Sequence, residues 1–388
     1  MAKLKVKLTR NLRRSIMRGH PWVYKEALGP LGGPPPDRAQ LCQVSDSKGE
    51  LAWAIFDPHG PLSLRILSTE KNPPALPVFL SRFARAHSLR EFVRSEKTNA
   101  YRLFNGEGDL LPGLVCDVYD RVAVVQFDGQ GPSEFWDREV IAKWLLENTA
   151  CKSVIEKTRR STERTTEHLG GETCDSEVLI KENGVIFKVN LEKGQKTGFF
   201  LDQRENRNYV RESNRAKSVL NLFSYTGGFS IYAGLGQAKK VASLDISKGA
   251  ILQAEENWAL NGLPKAVHTG LCVDVFEYLN GENETWDHII VDPPSMSHSE
   301  SQKETAITKY TELFAAAAKR VGREGWLSLS SCSSHISFDD FFSIISESLS
   351  LARRRGIVLR VSGQGTDHPF PHSCHELRYL KFVHLALD

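Results

Sequence analysis

The stretch that decides the fold is Val219-Leu220-Asn221-Leu222-Phe223-Ser224-Tyr225-Thr226-Gly227-Gly228-Phe229-Ser230. It contains a short apolar run at residues 219–223, then a turn with two glycines, then the start of an apolar segment at residues 230–235. Apolar runs and helical patterns keep alternating from residue 217 onward. This alternation predicts an α/β fold, in which helices cover a parallel sheet and ligands bind beyond the carboxyl ends of the strands.

The rest of the C-terminal half repeats the same alternation. Apolar runs predict strands at residues 241–244, 267–271, 289–291, 326–329, 357–361 and 377–385. Helical spacing predicts helices at residues 248–260, 305–321 and 338–354, and Asn261-Gly262 is a stop signal for the first of them. We therefore expect one α/β domain over residues 191–388.

The N-terminal part has a different pattern. Runs with strand character at residues 3–8, 41–44, 51–56 and 63–67 predict a small all-β module over residues 1–72. A loop rich in proline and glycine interrupts the module at residues 29–36, and the proline-rich segment 72–77 ends it.

Residues 73–190 are predicted to form a central α+β domain. Helical spacing covers residues 78–96 and 139–147, and the runs 114–119 and 122–127 predict a hairpin. Asn183-Gly184 between two apolar runs predicts a second hairpin with a tight turn across residues 178–187. The polar residues 161–176 are predicted to form a loop.

Composition and charge restrict the class of protein. The 388 residues are too many for a single core, and 40% apolar with 25% charged residues is typical of a globular chain. No apolar run approaches the ~18–20 residues of a membrane span. Seven cysteines without a Cys-x-x-Cys pair indicate a reducing compartment, so we expect a cytoplasmic protein that does not contact a membrane. The oligomeric state stays open, and a homodimer is compatible with the sequence.

Positive charge is concentrated near the N-terminus. Residues 1–70 carry eleven Lys and Arg against six Asp and Glu, although the whole chain has a net charge of only +3. Such a region is typical of proteins that bind a polyanion, because neutralising phosphates releases counterions. A solvated charged surface is the alternative.

The turn at residues 224–229 and two acids indicate a nucleoside-bearing cofactor. Gly227 and Gly228 let the backbone pass close to a ligand, and Asp245 ends the second strand 17 residues after Gly228. A carboxylate there can accept both ribose hydroxyls, and Asp274 after the third strand could accept an adenine amino group. S-adenosylmethionine fits best, since the dinucleotide and phosphate-loop patterns are absent from the sequence. An ordinary turn with two helix-capping acids is the alternative.

Two further groups end the fourth and fifth strands. Asp292-Pro293-Pro294-Ser295 ends the fourth, where the prolines leave backbone carbonyls without neighbouring N–H donors and Asp292 would face a reacting base. Cys332, within Ser330-Ser331-Cys332-Ser333-Ser334-His335, ends the fifth and is a candidate nucleophile. A structural strand stop and a buried filler cysteine are the alternatives.

No metal site is expected. The segment His372-Ser373-Cys374-His375-Glu376 contains metal-binding residue types, but they are too close together for the usual two-pair spacing. Arg353-Arg354-Arg355 is interpreted as a structural complement to a helix C-terminus first and an RNA contact second.

Four motifs together resemble the ribosomal large-subunit RNA methyltransferase I family, and they are residues 196–204 (K-T-G-F-F-L-D-Q-R), 221–229, 292–294 and 331–333. Residues 18–24 (R-G-H-P-W-V-Y) resemble the start of that family's PUA domain. The resemblance implies a PUA-like RNA-binding β-barrel, a central α+β domain and a Rossmann-like class I methyltransferase domain with a reversed last strand. The implied reaction is S-adenosylmethionine-dependent methylation of cytosine at ring position five in large-subunit ribosomal RNA.

The same resemblance assigns residues by position. The methionine end of the cofactor is assigned to Ser224, Tyr225, Thr226 and Gly227, the ribose to Asp245, and the adenine to Asp274. Phe200, Asp202, Gln203 and Arg204 are assigned to the border of the cofactor or the target base. Asn221, Ile246, Val275, Asp292 and Pro293 complete the expected cofactor site, and Cys332 and Asp292 are the expected catalytic residues. One departure is Ser295, where relatives often have Lys.

The chemistry of cytosine needs such residues. Carbon five is not nucleophilic enough to take a methyl group unaided, whereas thiolate addition at carbon six makes it so. The target base must be unpaired or flipped, which costs a few kcal/mol. Three alternatives remain at this point: methylation of a guanine or an exocyclic nitrogen, a non-catalytic RNA-binding assembly factor, and a small-molecule methyltransferase, which would leave the basic N-terminal module without a role.

Overall fold

The structure is a computed structural model that describes residues 4–160, 163–281, 284–297 and 299–388, with side chains except at residues 159, 160, 163 and 164. The chain divides into two compact units. The first unit contains Met1–Ile180, Val189–Leu201 and Thr366–Leu377, and the second contains Lys181–Lys188, Asp202–Gly365 and Arg378–Asp388. The boundaries expected at residues 72 and 190 stay a prediction, because a compact unit need not fold as a single domain.

The first unit contains two five-stranded sheets. Its strands are β1 (Leu4–Lys7), β2 (Trp22–Tyr24), β3 (Gln40–Asp46), β4 (Gly49–Phe56), β5 (Leu62–Ser68), β6 (Ala100–Asn105), β7 (Leu114–Tyr119), β8 (Val122–Phe127), β9 (Ser153–Arg160) and β10 (Glu163–Gly171). Its helices are α1 (Arg13–Met17), α2 (Leu76–Ser88), α3 (Gln130–Phe135) and α4 (Arg138–Asn148). The strand orders are β1-β3-β4-β5-β2 and β10-β9-β8-β7-β6, and each sheet packs on its own apolar cluster.

Most elements expected in this unit are present, and two expectations are wrong. All four runs of the N-terminal module form strands, although Lys3 lies outside the described residues. Helix α2 ends at Ser88, not at residue 96, because Arg90 turns inward to pair with Asp109 through Nη1 and Oδ1 at 2.6 Å. The expected loop at 161–176 contains β10, which pairs antiparallel with β9, while residues 161 and 162 lie outside the described residues.

A two-stranded hairpin follows strand β10 along the chain. It consists of β11 (Glu177–Glu182) and β12 (Val185–Asn190), as the sequence predicts. Asn183 and Gly184 both have left-handed backbone angles, with φ of 52° and 81°. Two positive φ values in a two-residue loop are the signature of the predicted tight turn.

The second unit is built around one seven-stranded sheet. Its strands are β13 (Ser218–Leu222), β14 (Lys240–Asp245), β15 (His268–Cys272), β16 (Trp286–Val291), β17 (Val321–Ser331), β18 (Gly356–Ser362) and β19 (Lys381–Leu387). Its helices are α5 (Arg204–Ser213), α6 (Gly228–Leu235), α7 (Lys248–Leu260), α8 (Val275–Gly281), α9 (Lys303–Arg320) and α10 (Phe338–Ala352). The order is β15-β14-β13-β16-β17-β19-β18, and β19 runs antiparallel to both of its neighbours, so the reversed last strand is confirmed.

The two faces of this sheet are chemically different. One face presents leucines and valines such as Leu220 and Leu244 to helices α8, α9 and α10. The other face contains buried polar side chains, including His288, which bonds Asn214 at the end of α5 at 2.7 Å and Ser328 at 2.8 Å. Burial lowers the pKa of such imidazoles, so they stay neutral and can both donate and accept a hydrogen bond.

In the part of the chain that the structure describes, each helix is too short or too polar to cross a bilayer.

Candidate functional site

The expected site residues follow neighbouring parallel strands of the second unit. Strand β13 lies between β14 and β16, so the strand order reverses there. Strands β13, β14, β16 and β17 are parallel, which brings the residues after their last positions to one edge of the sheet. This reversal point is where open α/β sheets bind ligands.

The turn after β13 has an unusual backbone. Phe223, Tyr225 and Gly227 have φ of 57°, 46° and 81°, all in the left-handed region. This region costs a non-glycine residue about 1–3 kcal/mol, and residues strained in this way cluster at active sites and ligand-binding loops. The end of β14 holds the turn in place, because the Tyr225 N–H donates to Asp245 Oδ2 at 2.9 Å. The shape of the turn is therefore supported by a hydrogen bond to the end of the neighbouring strand.

Gly227 is required by packing as well as by its backbone angle. A Cβ at this position would lie 2.8 Å from the Cβ of Ala254 on α7 and 2.9 Å from Cδ1 of Ile231 on α6. The glycine therefore permits close packing of the two helices. The expectation that it permits close approach to a ligand stays a prediction.

Two polar atoms in the turn test whether a cofactor fits. The hydroxyl of Ser224 is buried and makes no hydrogen bond to any described residue. Buried polar groups almost always have a partner, so a ligand atom at this position is a reasonable explanation. In Asn221 the Nδ2 donates to Ser230 Oγ at 2.9 Å beneath helix α6, whereas the buried Oδ1 has no partner among the described residues. Asn221 thus supports the turn, and its expected contact with the cofactor stays a prediction.

Asp245 and Ile246 fit the ribose and adenine of S-adenosylmethionine. The carboxylate of Asp245 accepts from the Tyr225 N–H through Oδ2 and from the Ser247 N–H through Oδ1, both at 2.9 Å. These bonds fix its orientation and leave each oxygen a second lone pair for a ribose hydroxyl. Ile246 follows directly and is 73% exposed, which offers an apolar surface to an aromatic ring.

Asp274 and Val275, the next two expected residues, have different surroundings. Asp274 is exposed, and its Oδ1 accepts from the Glu277 N–H at 3.0 Å, so it acts as a cap for helix α8. The helix-cap alternative is therefore correct for one carboxylate oxygen of Asp274. The side chain of Val275 is 3% exposed and packs in the apolar core below the sheet. Because of this burial, only the backbone of Val275 is available to a cofactor, and its expected role there stays a prediction.

Gln203 links the loop after β16 to the end of the adjacent strand β17. Its Nε2 donates to Asp292 Oδ1 at 2.9 Å and to Ser330 Oγ at 3.3 Å. Its Oε1 accepts from Asn206 Nδ2 at 2.6 Å. Gln203 is 2% exposed, whereas Asp292 is half-buried. The amide thus fixes one oxygen of a partly accessible carboxylate at the edge of the sheet.

The remaining residues of the 196–204 motif have different surroundings. Asp202 is buried and accepts from the Tyr379 hydroxyl at 2.7 Å, and Arg204 is buried with Nη2 at 3.2 Å from Glu205. Phe200 belongs to the first unit, where Lys196 Nζ lies 4.7 Å from its ring centroid. The expected roles of Phe200, Asp202, Arg204 and the buried Pro293 at the cofactor stay predictions.

Cys332 follows the last residue of β17 and is partly accessible. Its neighbours Ser331 and Ser333 are fully buried, whereas Cys332 itself is intermediate in exposure. Cys42 and Cys116, by contrast, are fully buried in apolar clusters, where burial raises the pKa of both thiols. The filler alternative therefore fits those two cysteines and is not favoured for Cys332.

Ser333 ties the cysteine loop to the loop that carries Asp292. Its hydroxyl lies 3.1 Å from Ser295 Oγ, 3.0 Å from the Tyr310 hydroxyl and 3.1 Å from the Met296 N–H, which donates to it. Ser295, the residue after the two prolines, is thus part of this network. The network holds the segments 292–296 and 331–333 side by side.

The sequence analysis missed Lys381. This residue begins β19 and is 1% exposed, and its Nζ donates to the carbonyl of Ser333 at 2.6 Å. The missed signal is a lysine inside an apolar run that forms a central strand, since lysine is almost never fully buried without a partner.

A separate cluster in the first unit contains metal-binding residue types. His20, Cys374 and Glu376 each offer one ligand atom, and these atoms lie within 4.8 Å of one another. Burial and the hydrogen-bonded carboxylate of Glu376 raise the pKa of the Cys374 thiol to about 12. A thiol that keeps its proton is a poor metal ligand, and the expectation of no metal here stays a prediction.

Comparison with known protein families identifies two domains along the chain. Residues 6–69 match a PUA-like domain, and residues 137–312 match an S-adenosylmethionine-dependent methyltransferase family. A methyltransferase from Streptococcus mutans has a TM-score of 0.87 at 25% identity, covering 99% of this chain and 100% of its own. The methyltransferase SMU.776, solved with SAH, has a TM-score of 0.86 at 26% identity over 100% of both chains. These matches confirm the expected fold class and the expected cofactor, S-adenosylmethionine.

Two curated relatives match nearly the whole chain. The ribosomal RNA large subunit methyltransferase of Deinococcus radiodurans is 35% identical over 100% of this chain and 98% of its own length. The ribosomal RNA large subunit methyltransferase I of Aeromonas salmonicida is 33% identical over 96% of this chain and 97% of its own length. The resemblance found in the four sequence motifs is thereby confirmed, and the chain belongs to the ribosomal RNA large subunit methyltransferase I family.

Proposed function

We propose that this protein methylates carbon five of a cytosine in large-subunit ribosomal RNA through a covalent adduct with Cys332. The relatives named above act, by their names, on ribosomal RNA of the large subunit. The observation that carries the proposal is the position of Cys332 and Asp292, which follow adjacent parallel strands. Gln203 bonds both Asp292 and Ser330, and Ser333, the residue after Cys332, bonds Ser295 in the loop of Asp292.

The cofactor site is assigned to the strand ends described above. S-adenosylmethionine supplies an electrophilic methyl group when it is bound. Ser224, Tyr225, Thr226 and Gly227 would hold its methionine end, with the unpartnered Ser224 hydroxyl as one donor or acceptor. Asp245 would accept the ribose hydroxyls, and Asp274 would accept from the adenine amino group through the oxygen that does not cap α8.

Cys332 is the proposed nucleophile. Its thiolate adds to carbon six of the ring, which forms a sulfur–carbon bond and moves the electron pair of the double bond toward the ring nitrogen. Carbon five of the adduct is then nucleophilic enough to accept a methyl group. Loss of the carbon-five proton returns the electron pair, breaks the sulfur–carbon bond and regenerates the thiolate.

Asp292 is proposed to orient and stabilise the adduct. With Oδ1 held by Gln203, Oδ2 could contact the amino group and ring nitrogen three of cytosine. A proton on this carboxyl group would let it donate to the ring nitrogen as negative charge moves there, which is a common use of a carboxyl group in a partly buried site. Asp292 therefore accounts for selectivity toward cytosine as well as for rate.

The first unit is proposed to bind RNA. The side chains of Lys5, Lys7, Arg10, Arg14, Arg18 and Lys25 are exposed in the described structure. Arg13 differs, because it pairs with Asp46 at 2.7 Å and supports the fold. Exposed cations of this kind bind phosphates and position an RNA without reading its sequence.

A cytoplasmic location is part of the proposal. Its support is that the seven cysteines, all within the described residues, form no disulfide bond, as expected in a reducing compartment.

The test combines a product assay with a matched pair of variants. Purified protein is incubated with large-subunit ribosomal RNA and S-adenosylmethionine labelled in the methyl group, and the digested nucleosides are identified by mass spectrometry. We expect 5-methylcytidine from the wild type and from Cys272→Ala, which removes an exposed cysteine at the end of β15, but none from Cys332→Ala. A methylated guanosine or exocyclic nitrogen would refute the proposed product. RNA binding without affinity for S-adenosylmethionine would instead indicate an assembly factor.

A further inference from the structure

Lys381 lies against the loop that carries Cys332. In the antiparallel pair of β17 and β19, Lys381 is the Cα partner of Ser331, the residue before the cysteine. Its Nζ donates to the carbonyl of Ser333, the residue after the cysteine, at 2.6 Å, and to the carbonyl of Tyr379 at 2.8 Å. The ammonium group therefore contacts the residue after Cys332, and the backbone of Lys381 pairs with the residue before it.

This lysine is unusual because it is buried without a carboxylate partner. Its side chain is 1% exposed, and it forms no ion pair with any carboxylate among the described residues. Burying an ammonium group whose only acceptors are backbone carbonyls costs folding free energy, and burial lowers the pKa of Lys381 to about 8. A cost of this kind is common where the charged group serves a reaction.

The charge of Cys332 and the charge of Lys381 are coupled. A negative charge on the thiolate of Cys332 raises the pKa of Lys381, which opposes the effect of burial. The same attraction acts in the other direction, because a neighbouring ammonium group favours the thiolate form of a cysteine. An unperturbed thiol is only a few per cent thiolate at neutral pH, so such a neighbour increases the reactive fraction directly.

We propose that Lys381 is a positioning residue that keeps Cys332 in its thiolate form, so that a thiolate–ammonium pair is the resting state of the site. The inference rests on the proposed function, in which Cys332 is the nucleophile. The thiol proton is released to solvent before substrate binds, and the sulfur–carbon bond then forms without a separate base. Lys381 keeps its own proton throughout, and the thiolate is regenerated when the sulfur–carbon bond breaks.

The other charged and titratable groups around this pair come from three elements. Tyr310 on α9 accepts a hydrogen bond from the Ser331 hydroxyl and shares one with the Ser333 hydroxyl. Burial raises the pKa of Tyr310, so it stays neutral. Asp340 on α10 attracts the ammonium group but is itself paired with Lys303 at 2.9 Å. Asp292 follows β16 and is held by Gln203. The ammonium group of Lys381 contacts the cysteine loop directly, because it donates to the carbonyl of Ser333.

The test measures the reactivity of the thiol rather than methyl transfer. The full-length protein is alkylated with iodoacetamide from about pH 5 to about pH 10, and the rate at Cys332 is read by peptide mass spectrometry. Cys272, an exposed thiol in the same molecules, is the internal reference. We expect Cys332 to become reactive at a lower pH than Cys272 in the wild type.

Substitution of the lysine should move this profile in one direction. In Lys381→Met the loss of the positive charge should shift the midpoint of Cys332 upward by about one pH unit or more, which lowers its rate near neutral pH about tenfold. Lys381→Arg should keep the wild-type profile, and the profile of Cys272 should not change. Lys157→Met is the matched control, since Lys157 is another buried lysine whose Nζ donates to a backbone carbonyl, that of Gly194 at 2.8 Å.

Each result either supports or overturns the inference. An unchanged Cys332 profile in folded Lys381→Met would show that the lysine only clamps the two strands. If that variant does not fold, a wild-type midpoint of Cys332 at or above that of Cys272 overturns the inference by itself. Because the assay uses neither RNA nor cofactor, a shifted profile together with absence of 5-methylcytidine would refute the proposed function and leave the role of Lys381 intact.

Discussion

Replacing Gln203 by leucine tests the network that joins the two catalytic loops. Leucine is similar in size to glutamine but has no amide, so Asp292 Oδ1 loses the donor at 2.9 Å and Ser330 loses the one at 3.3 Å. The Nδ2 of Asn206 loses the acceptor at 2.6 Å, although it also donates to the carbonyl of Gly363. The substitution therefore removes one hydrogen bond that orients Asp292 without removing a charge.

The size of the effect follows from these contacts. A hydrogen bond to a charged group contributes about 1.5–3 kcal/mol, so loss of the donor to Asp292 should lower kcat/KM about 10- to 100-fold. Loss of the neutral bond from Asn206 should lower the free energy of unfolding by about 1 kcal/mol, which keeps the protein folded. Affinity for S-adenosylmethionine should change little, because Asp245 and the turn at residues 223–227 are not altered.

Methyl-transfer kinetics, calorimetric binding of S-adenosylmethionine and thermal unfolding separate these effects. Gln130→Leu is the matched control, since Gln130 is exposed on α3 and its amide bonds only the nearby carboxylate of Glu134 in the described structure. We expect Gln203→Leu to lose turnover with nearly unchanged cofactor affinity, and Gln130→Leu to match the wild type. Wild-type turnover in Gln203→Leu would show that Asp292 needs no support from Gln203 and would contradict the assigned geometry.

Three further predictions concern the cofactor turn and the RNA surface. Ser224→Ala should weaken S-adenosylmethionine binding about fivefold to tenfold by calorimetry, as expected for loss of one hydrogen bond of about 1 kcal/mol; unchanged affinity would mean the hydroxyl does not contact the cofactor. Gly227→Ala should lower the free energy of unfolding by more than about 1 kcal/mol in urea titrations, because φ is 81° and the new Cβ would meet Ala254. Replacing Arg14 and Arg18 by glutamine should reduce the salt dependence of RNA binding by about two phosphate contacts, whereas an unchanged slope would remove this surface from the interface.

The sequence predicts the strand and helix alternation of the second unit well, because its central strands are buried on both faces and read as continuous apolar runs. The hairpin at Asn183 and Gly184 is predicted for a local reason, since few residues other than these accept two positive φ values in succession. Strand β10 was not predicted because Thr165, Glu167 and His168 are exposed, and a strand solvated on both faces has no alternation of polarity.

The candidate site is predicted only in part. The acids and the cysteine at the strand ends could be located, because parallel strands bring their carboxyl ends together. The burial of Val275 could not, and the capping role of Asp274 could be given only as an alternative, since both depend on where helix α8 begins. Lys381 was missed because its contacts with Ser333 and Tyr379 depend on the register of β19 against β17, which one sequence does not specify.

Trapping of the covalent adduct tests the central claim most directly. Large-subunit ribosomal RNA transcribed with 5-fluorocytidine cannot lose a proton from carbon five, so an adduct formed there should persist and can be mapped by digestion and mass spectrometry. We predict a cofactor-dependent protein–RNA adduct on the peptide that contains Cys332, absent in Cys332→Ala and present in Cys272→Ala. Methyl transfer to the normal RNA without any adduct on the fluorinated RNA, or an adduct on a different cysteine, would contradict the account.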